Sequence, residues 1–467
     1  MSNPYRLEAI ALHEVGVFDD VRIDFPPKPE AAEGKAEIHV FTGPNGCGKS
    51  TLLYALAEIF KKSIADTKKK PTPGLIWRRF RGKKSYVEFE LCNTIGMYAE
   101  NSSLRAKNGD EAFKQVAGNY FGLFGYGVFP IRDMLMSRGA SLSITALEQY
   151  KKRSESSFFS DDNYSFSAFA YSGQRNIGQH PIEAIKEITS SPFENALSFN
   201  ENIRPQLILQ WIANNRTKSA LAKVDGDMAD VKRYDSALHR ITQVIHDICD
   251  LDIEFKLSRS PLEVTLKVGD DNLQFDTLPD GLKSIISWIA DLAMRLEAIP
   301  WENQDVDIFS QPIILFLDEI DIHLHPKWQR RVLPTVQKLF PNAQIFASTH
   351  SPFVVGSVED AWVYRLPEKG KATSRVIEAV PSGAGKSYRL ILEEIFGIDE
   401  EFDVETEALF DRFYQCREVF LLEPGARQDE LLGLARALAE KSEEAGVIVG
   451  RELRQLSRLS GREITLA

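Results

Sequence analysis

Eight consecutive residues near the start of the chain have the spacing of a phosphate-binding loop. The segment 43–50, GPNGCGKS, fits the pattern GxxxxGK[ST] and stands between a β-branched run over 37–42 and a helical pattern over 49–62. Glycines leave room for a crowded phosphate and let backbone N–H groups point toward it, and a helix N-terminus adds its dipole. The pattern therefore predicts a nucleotide site where a strand passes into a helix.

The spacing also assigns roles to single side chains of this loop. Lys49 reaches the β- and γ-phosphates in such a site, Ser50 binds Mg²⁺ through its hydroxyl, and Thr51 stands beside it. The residues expected to contact the nucleotide are Asn45, Gly46, Gly48, Lys49, Ser50 and Thr51. ATP and Mg²⁺ are therefore the expected ligands.

Two acids follow an apolar run in the second half of the chain. Residues 313–317 are continuously apolar, which suits a buried parallel strand, and Asp318 and Glu319 follow directly. Asp318 at the strand end can hold Mg²⁺ through water, and Glu319 can act as general base for an attacking water. Together with the loop at 43–50, this pair predicts nucleotide hydrolysis.

A third segment of this kind ends in a histidine. The run 344–349 again suits a buried parallel strand, and His350 follows it. At that edge His350 can meet the γ-phosphate and the attacking water, so it is the second expected catalytic residue beside Glu319. Strand, glycine-rich turn and helix in this order form a nucleotide-binding unit, which is typical of an α/β fold.

The residues ahead of the phosphate-binding loop alternate between apolar and polar side chains. Residues 6–12 and 15–25 both show this alternation, with a turn expected at Asp19-Asp20. We therefore expect strands before the loop.

The three chemical segments together resemble the ABC-type ATPases of the SMC, RecF and overcoming-lysogenization group. The resemblance rests on TGPNGCGKSTLL, DEIDIHLHP and STHSPF, and it covers roughly residues 5–60, 165–180 and 260–365. It implies an ABC-type P-loop ATPase head, with ATP enclosed between two heads. It also implies that Gln174 contacts the nucleotide and Mg²⁺.

The same resemblance implies a role for the segment 278–284, LPDGLKS. In this group a signature sequence at the start of a helix caps the ATP of the opposite head, and Gly281 matches its glycine. Pro279 stands where the group usually has serine. The missing hydroxyl weakens the contact expected there.

The rest of the chain divides into a head and a tail. We expect residues 1–385 to form the ATPase head, with a basic insertion over 61–84, an irregular insertion over 100–165 and a helical lobe over about 181–295. Residues 386–467 have apolar side chains on one face of two helical patterns, which is typical of a small helical region that docks an oligomer or another partner. These side chains are Leu409, Phe413, Cys416, Phe420, Leu431, Leu434, Ala435 and Leu438.

The charge balance limits the partners. The 467 residues carry 56 Lys and Arg against 67 Asp and Glu, a net charge of −11, so the whole surface cannot coat nucleic acid. The stretch 61–84 alone carries ten Lys or Arg and one Asp, so nucleic acid, a protein partner and a plain surface all stay open for it. Few, scattered cysteines and the lack of a leader or a long apolar run predict a cytoplasmic protein without a membrane span.

The arrangement predicts a regulatory ATPase and not a nuclease. Glu423 ends a run similar to the first strand of a TOPRIM nuclease, but no Asp-x-Asp follows it in 424–467. The layout resembles the stand-alone ATPases of bacterial anti-phage systems, the Septu type (PtuA) first and the PARIS type (AriA) second. That resemblance implies an oligomeric scaffold, at least a head-to-head dimer, that controls a separate nuclease subunit. The alternative is a RecF- or SMC-like DNA-repair ATPase that acts directly on DNA.

Overall fold

The computed structural model describes residues 5–28, 34–61, 79, 81, 85–93, 127–130, 147, 149–154, 163–175, 177–368, 376–423 and 425–464. The chain divides into two compact units, Met1–Ile391 and Leu392–Ala467. Within the ranges described, no helix is both long enough and apolar enough to cross a membrane.

The strands of the first unit belong to three sheets. They are β1 Tyr5–Val15, β2 Phe18–Asp24, β3 Glu37–Thr42, β4 Tyr86–Asn93, β5 Gly127–Pro130, β6 Ser167–Tyr171, β7 Ile253–Arg259, β8 Leu262–Val268, β9 Asp271–Leu273, β10 Ile313–Leu317, β11 Ala343–Ser348, β12 Ala361–Arg365, β13 Val376–Ile377 and β14 Val380–Pro381.

The helices are shared between the two units. Those of the first unit are α1 Lys49–Glu58, α2 Pro205–Asp225, α3 Met228–Cys249, α4 Asp280–Ala298, α5 Pro326–Leu339, α6 Pro352–Val355 and α7 Tyr388–Ile391. Those of the second unit are α8 Val404–Leu422, α9 Gln428–Lys441 and α10 Glu443–Ser460, preceded by a π-helical turn, Leu392–Phe396.

A six-stranded sheet carries the segments that the sequence marks for chemistry. Its order is β14-β12-β3-β11-β10-β6, and all neighbours except β12 and β14 run parallel. Every residue of β3, β6, β10 and β11 is buried. A parallel sheet covered on both faces requires near-continuous apolar strands, and this is the pattern that the sequence shows.

A second sheet, in the order β13-β2-β1-β4-β5, is built around antiparallel pairs from the N-terminal strands. The turn between β1 and β2 lies at residues 16–17, with Val15 paired to Phe18. The expected turn at Asp19-Asp20 is therefore wrong, because both residues lie inside β2. The chain reverses at Gly16 instead, where φ is +60° and glycine carries no steric penalty.

A buried polar cluster joins β1 of the second sheet to β3 and β11 of the first. The carboxylate of Glu37 accepts from Arg6 Nε at 2.9 Å and from Gln344 Nε2 at 2.8 Å, and it lies 2.7 Å from His39 Nε2. Burial would raise the pKa of Glu37, but the hydrogen bonds and charges of His39 and Arg6 outweigh it and lower this pKa to about 2. The ionised Glu37 thereby fixes the start of the strand that leads into the phosphate-binding loop.

The lobe expected over about 181–295 contains more than helices. Helices α2 and α3 form a hairpin, with Gly226 at φ +78° ending α2 and Asp227 accepting from Ala229 N and Asp230 N at the start of α3. The antiparallel sheet β7-β8-β9 follows, and α4 comes after it.

The second unit is a small helical body with its own core. The Oδ1 atom of Asp403 accepts from Glu405 N and Thr406 N and so caps α8. The apolar faces expected in the tail meet in this core, and α10 adds a third face to it. Its most buried side chains are Phe413, Phe420, Leu431, Ala435, Leu438, Ala445, Val449 and Leu456.

Two expected insertions lie largely outside the described residues. Of the basic stretch 61–84 the structure describes Lys61, Arg79 and Arg81, and of 100–165 it describes 127–130, 147, 149–154 and 163–165.

Candidate functional site

The carboxyl ends of four neighbouring parallel strands meet at one edge of the six-stranded sheet. In the order β3, β11, β10, β6 they lead into residues 43–48, 349–350, 318–319 and 172–175. Leu317 pairs with Ala347 on one side and with Tyr171 on the other, so these segments leave the sheet at one level. The loop, the acid pair, the histidine segment and the glutamine segment expected from the sequence therefore converge.

Three glycines give the loop between β3 and α1 its shape. Gly43, Gly46 and Gly48 have φ values of +144°, +80° and +104°, which L side chains rarely adopt. A Cβ on Gly43 would lie 2.6 Å from the carbonyl oxygen of Leu366, and a Cβ on Gly48 would lie 2.5 Å from the Phe18 ring. At Gly43 and Gly48, the backbone conformation disfavours a side chain and the neighbouring atoms leave no space for one.

Lys49 is the first residue of α1 and bends back across the loop. Its Nζ donates to the carbonyl oxygen of Gly43 at 2.8 Å and to that of Pro44 at 3.1 Å. The ammonium is buried at the positive end of a helix, where an anion would be stabilised by both charges. Ser50 is half-buried next to it, and Asn45 is exposed on the loop.

Thr51 lies in packing contacts with other protein groups. Its Oγ1 accepts from Arg79 Nη1, and a Cβ on Gly16 would lie 2.9 Å from its methyl carbon. The Arg79 guanidinium also lies 4.8 Å from the centroid of the Tyr54 ring. Arg79 therefore holds the first turns of α1 through Thr51 and Tyr54.

Ser348 bridges the two acids at the end of β10. Its Oγ donates to Asp318 Oδ1 at 2.5 Å and accepts from Glu319 N at 2.8 Å. Ser348 is fully buried and Asp318 is 5% exposed. One hydroxyl on the neighbouring strand therefore fixes both the carboxylate of Asp318 and the backbone of Glu319. Ser348 was not among the site residues expected from the sequence, although Ser348 stands two residues before His350.

Glu319 turns out of the sheet in a left-handed backbone conformation, with φ at +48°. A Cβ on Gly173 would lie 2.5 Å from its Oε2, so its side chain passes directly over that glycine. Burial raises the pKa of Glu319, the charges of Asp318 and Asp321 raise it further, and Lys49 opposes them. A carboxylate with a raised pKa beside a cation has the properties of a general base.

His350 is exposed at the same edge, on the loop after β11. Its backbone N–H donates to Asp321 Oδ2 at 3.4 Å. Partial burial lowers the pKa of His350 and the charge of Lys49 lowers it further, so the ring is neutral over a wider pH range. Asp321 Oδ1 is buried and has no hydrogen-bond partner among the residues that the structure describes. Asp321 was not selected from the sequence.

Arg175, the neighbour of Gln174, is a buried cation. Its Nη2 donates to the carbonyl oxygen of Asp318 at 2.7 Å, and its guanidinium lies 5.8 Å from the Trp288 ring on α4. Burial lowers its pKa to about 10, while Asp318 and Asp321 oppose that shift. Arg175 thus ties the turn after β10 to α4.

Gln174 lies beside Arg175 at the carboxyl end of β6 and is exposed. Its position on this edge agrees with the role that the resemblance implies.

Gly281 lies on α4 and is buried, although the sequence analysis expects it to face the γ-phosphate of another head. A Cβ there would lie 2.6 Å from the carbonyl oxygen of His323 and 3.2 Å from the Trp328 ring. Pro279 and Asp280 are the exposed residues at this helix start. The glycine therefore permits close packing of α4 against the segment after Glu319.

A glycine loop, a lysine at a helix N-terminus and a strand-end acid pair on a mostly parallel sheet define a P-loop nucleotide hydrolase of α/β fold. The chain belongs to the family described as AAA domain, putative AbiEii toxin, Type IV TA system, whose model matches residues 38–356. A second AAA domain model matches residues 5–66.

The curated relatives include ATPases of bacterial retron systems. The probable ATPase of retron Ec83 from Escherichia coli is 23% identical over 431 residues, which cover 84% of this chain and 76% of that protein. The probable ATPase of retron Vc95 from Vibrio cholerae is 35% identical over 24% of this chain and 21% of its own length.

Septu proteins are similar over a shorter part. The Septu protein PtuA from Bacillus thuringiensis is 26% identical over 38% of this chain and 45% of its own length. Among solved structures, an SMC head domain from Thermotoga maritima covers 80% of this chain and 98% of its own at a TM-score of 0.33, with 14% identity.

Proposed function

We propose that this protein binds and hydrolyses ATP at the edge formed by β3, β11, β10 and β6. The observation that carries the proposal is the convergence of Lys49, His350 and the pair Asp318-Glu319 at the ends of the three neighbouring strands β3, β11 and β10. Lys49 would neutralise phosphate charge, Glu319 would take a proton from the attacking water, and His350 would contact the γ-phosphate. The test is ATP turnover by the purified chain, measured as phosphate release.

The donor atoms at this edge fit Mg²⁺. Ser50, Asp318 and Gln174 offer a hydroxyl, a carboxylate and an amide oxygen, the hard oxygen ligands that this ion takes. Ser348 orients the carboxylate of Asp318, and Arg175 donates to the backbone carbonyl oxygen of the same residue. When bound, the ion would neutralise part of the triphosphate charge.

We propose further that ATP is enclosed between two heads. The support is the position of α4, whose N-terminus is exposed at Pro279 and Asp280 and presents N–H groups without a side-chain cap. Because Gly281 is packed against His323, a substitution there would disturb the fold itself. The exposed Asp280 is the better place for a test.

The enclosure of ATP between two heads is tested by native mass measurement on the Glu319→Gln variant, which should bind ATP and retain it. Adding Asp280→Trp places a bulky side chain at the contact surface and should abolish ATP-dependent association while each chain still binds ATP. A dimer that persists in the double variant would show that α4 does not form the contact between the heads. Asp305→Trp, at an exposed position outside α4, serves as the control.

The wider role that we propose is a cytoplasmic, oligomeric regulatory subunit of an anti-phage defence complex. Its support is the similarity to retron ATPases and to Septu PtuA, together with the expectation of a separate nuclease subunit. The ATP state would decide whether that subunit is held or released. The helical unit Leu392–Ala467 is the proposed docking region for the partner or the oligomer.

The assignment of cleavage to a second subunit has a direct test. The chain alone, with Mg²⁺ or Mn²⁺, should leave plasmid, single-stranded DNA and RNA intact, because cleavage by two metals needs several clustered carboxylates. Glu423 is exposed at the end of α8, and the residues that the structure describes contain no cluster of three metal-ligating acids, histidines or cysteines. Cleavage that is lost in Glu423→Ala but kept in Lys49→Ala would overturn the assignment.

A further inference from the structure

A groove of about 520 Å³ lies between α3 and α5, away from the residues assigned to ATP. Both helices contribute cations to its walls, Arg240 from α3 and Arg330, Arg331 and Lys338 from α5. The side chains of Gln243 and Thr335 add hydrogen-bonding groups between them. Neither the nucleotide site nor the proposed head contact uses this groove.

One of the cations in the groove is neutralised within the protein. Asp250, just after α3, pairs with Arg331 of α5 at 2.6 Å. At 1.5 Å of rise per residue, Arg240 and Lys338 both lie roughly 10–15 Å from this pair along their helices. Neither of them is therefore within reach of the Asp250 carboxylate through its own helix.

Among the described residues, the other three cations of the groove have no ion-pair partner. In the described part of the chain, no carboxylate lies within ion-pair distance of Arg240, Arg330 or Lys338. Arg330 lies 5.7 Å from the Tyr388 ring, a contact that orients the guanidinium without neutralising it. Asp247 is the one lining acid outside the Asp250 pair.

The first half of α5 carries charges that do not stabilise that helix. The sequence PKWQRRVLPTVQKL contains four cations and no acid, and its first turn holds Lys327 and no Asp or Glu. Cations near a helix N-terminus oppose the helix dipole and clustered cations repel one another, whereas Lys338 in the last turn suits the dipole. In a chain with a net charge of −11, this helix is a local surplus of positive charge.

We propose that the unpaired cations of this groove bind the phosphodiester backbone of a nucleic acid. Arginine forks match phosphate oxygens in bidentate geometry, and groups on two facing helices can follow successive phosphates. Apart from His246, the described lining contains no aromatic side chain on which a base could stack, so we expect the contact to read the backbone and not the sequence. In the sequence, the lining residues of this groove lie outside the basic stretch 61–84.

Binding is measured by fluorescence anisotropy with labelled single- and double-stranded DNA and with RNA, over roughly 50–200 mM salt. The wild type should bind with an affinity that falls steeply with salt. Arg240→Glu/Lys338→Glu should weaken binding at least about tenfold and reduce the salt slope by about 2, because two phosphate contacts are lost. Lys223→Glu/Lys232→Glu carries the same charge change on exposed sites of the same hairpin and should bind like the wild type.

Three outcomes would overturn the proposal. They are a wild type that fails to bind at low salt, a groove variant that binds like the wild type, and equal competition by polyglutamate of matched charge, which would indicate an acidic protein partner. Binding that survives in the groove variant would place the contact elsewhere, including at 61–84. Circular dichroism and ATP turnover of the groove variant should match the wild type. A loss of nucleic-acid binding in this variant can then be distinguished from a failure of the proposed ATPase function. Repeating the titration with Lys49→Ala removes any contribution of phosphate bound at the ATP site.

Discussion

Gly173 lies directly beneath the carboxylate of Glu319. A Cβ on Gly173 would stand 2.5 Å from Glu319 Oε2 and 2.9 Å from Glu319 Cβ, closer than real atoms approach. The absence of a side chain at the end of β6 thus determines where the side chain at the end of β10 can lie. The two residues are far apart in the chain and adjacent only because β6 and β10 pair in parallel.

Gly173→Ala should therefore impair hydrolysis with little effect on ATP affinity. The new methyl displaces the Glu319 carboxylate, and a displacement of about 1 Å can lower a rate by about 100-fold. The measurement is kcat together with ATP affinity by calorimetry. Gly433→Ala is the matched control, since no atom lies within 4 Å of the Cβ it would add. Unchanged turnover in Gly173→Ala would show that the position of Glu319 does not matter.

Lys49→Ala should abolish tight ATP binding. The ammonium neutralises phosphate charge that the loop dipoles alone cannot, and each hydrogen bond to a charged group contributes about 1.5–3 kcal/mol. Affinity should fall at least about tenfold by calorimetry. Lys61→Ala, near the other end of α1 and paired with Glu58, should retain wild-type affinity. If a folded Lys49→Ala variant binds ATP normally, the loop is not the phosphate site.

Glu319→Gln should bind ATP and fail to hydrolyse it. The amide keeps the size of the side chain but has no basic lone pair, and general base catalysis contributes about 100- to 10,000-fold. Phosphate release and retained ATP are the two readouts. Turnover at the wild-type rate would exclude Glu319 as the base and leave His350 as the candidate.

The hydrolysis rate should rise with pH through the pKa of Glu319, since the base must be deprotonated. Asp321 is one of the charges that raise this pKa, after burial and Asp318. Asp321→Asn should therefore move the acid limb of the kcat profile to lower pH. The loss of this charge also lowers the pKa of His350, a change of the same sign. Asp305→Asn, a remote exposed site, should leave the limb in place.

Ser348→Ala should lower turnover while ATP binding persists. The variant removes the donor to Asp318 Oδ1 and the acceptor for Glu319 N, so both acids lose a fixed geometry. We expect a loss of kcat of about tenfold or more, because a displacement of catalytic groups by about 1 Å can lower a rate by about 100-fold. Ser357→Ala removes a hydroxyl that donates to Val354 O and should behave as the wild type. A Ser348→Ala variant with wild-type kcat would limit Ser348 to a packing role.

Short segments of the sequence were enough to predict most of the site. The glycine spacing over 43–50 fixes a backbone that few residues can adopt, and the apolar run over 313–317 is typical of a buried strand, which the structure contains at Ile313–Leu317. The α/β fold followed from the same runs. The sequence predicted the first turn at Asp19-Asp20 and not at Gly16, because hairpin geometry depends on which residues pair. The polar residues inside β2 resemble a turn signal.

The sequence by itself determined the chemistry available to this protein: a phosphate loop, two acids and a histidine, each at the end of a strand. Only the tertiary structure decided which of these groups touch. It placed Ser348 between Asp318 and Glu319, Gly173 under Glu319, and Gly281 against His323 and not at the surface. The physical reason is that the strand order β3-β11-β10-β6 is not the chain order, so contacts across the edge come from sheet pairing, which local spacing does not encode.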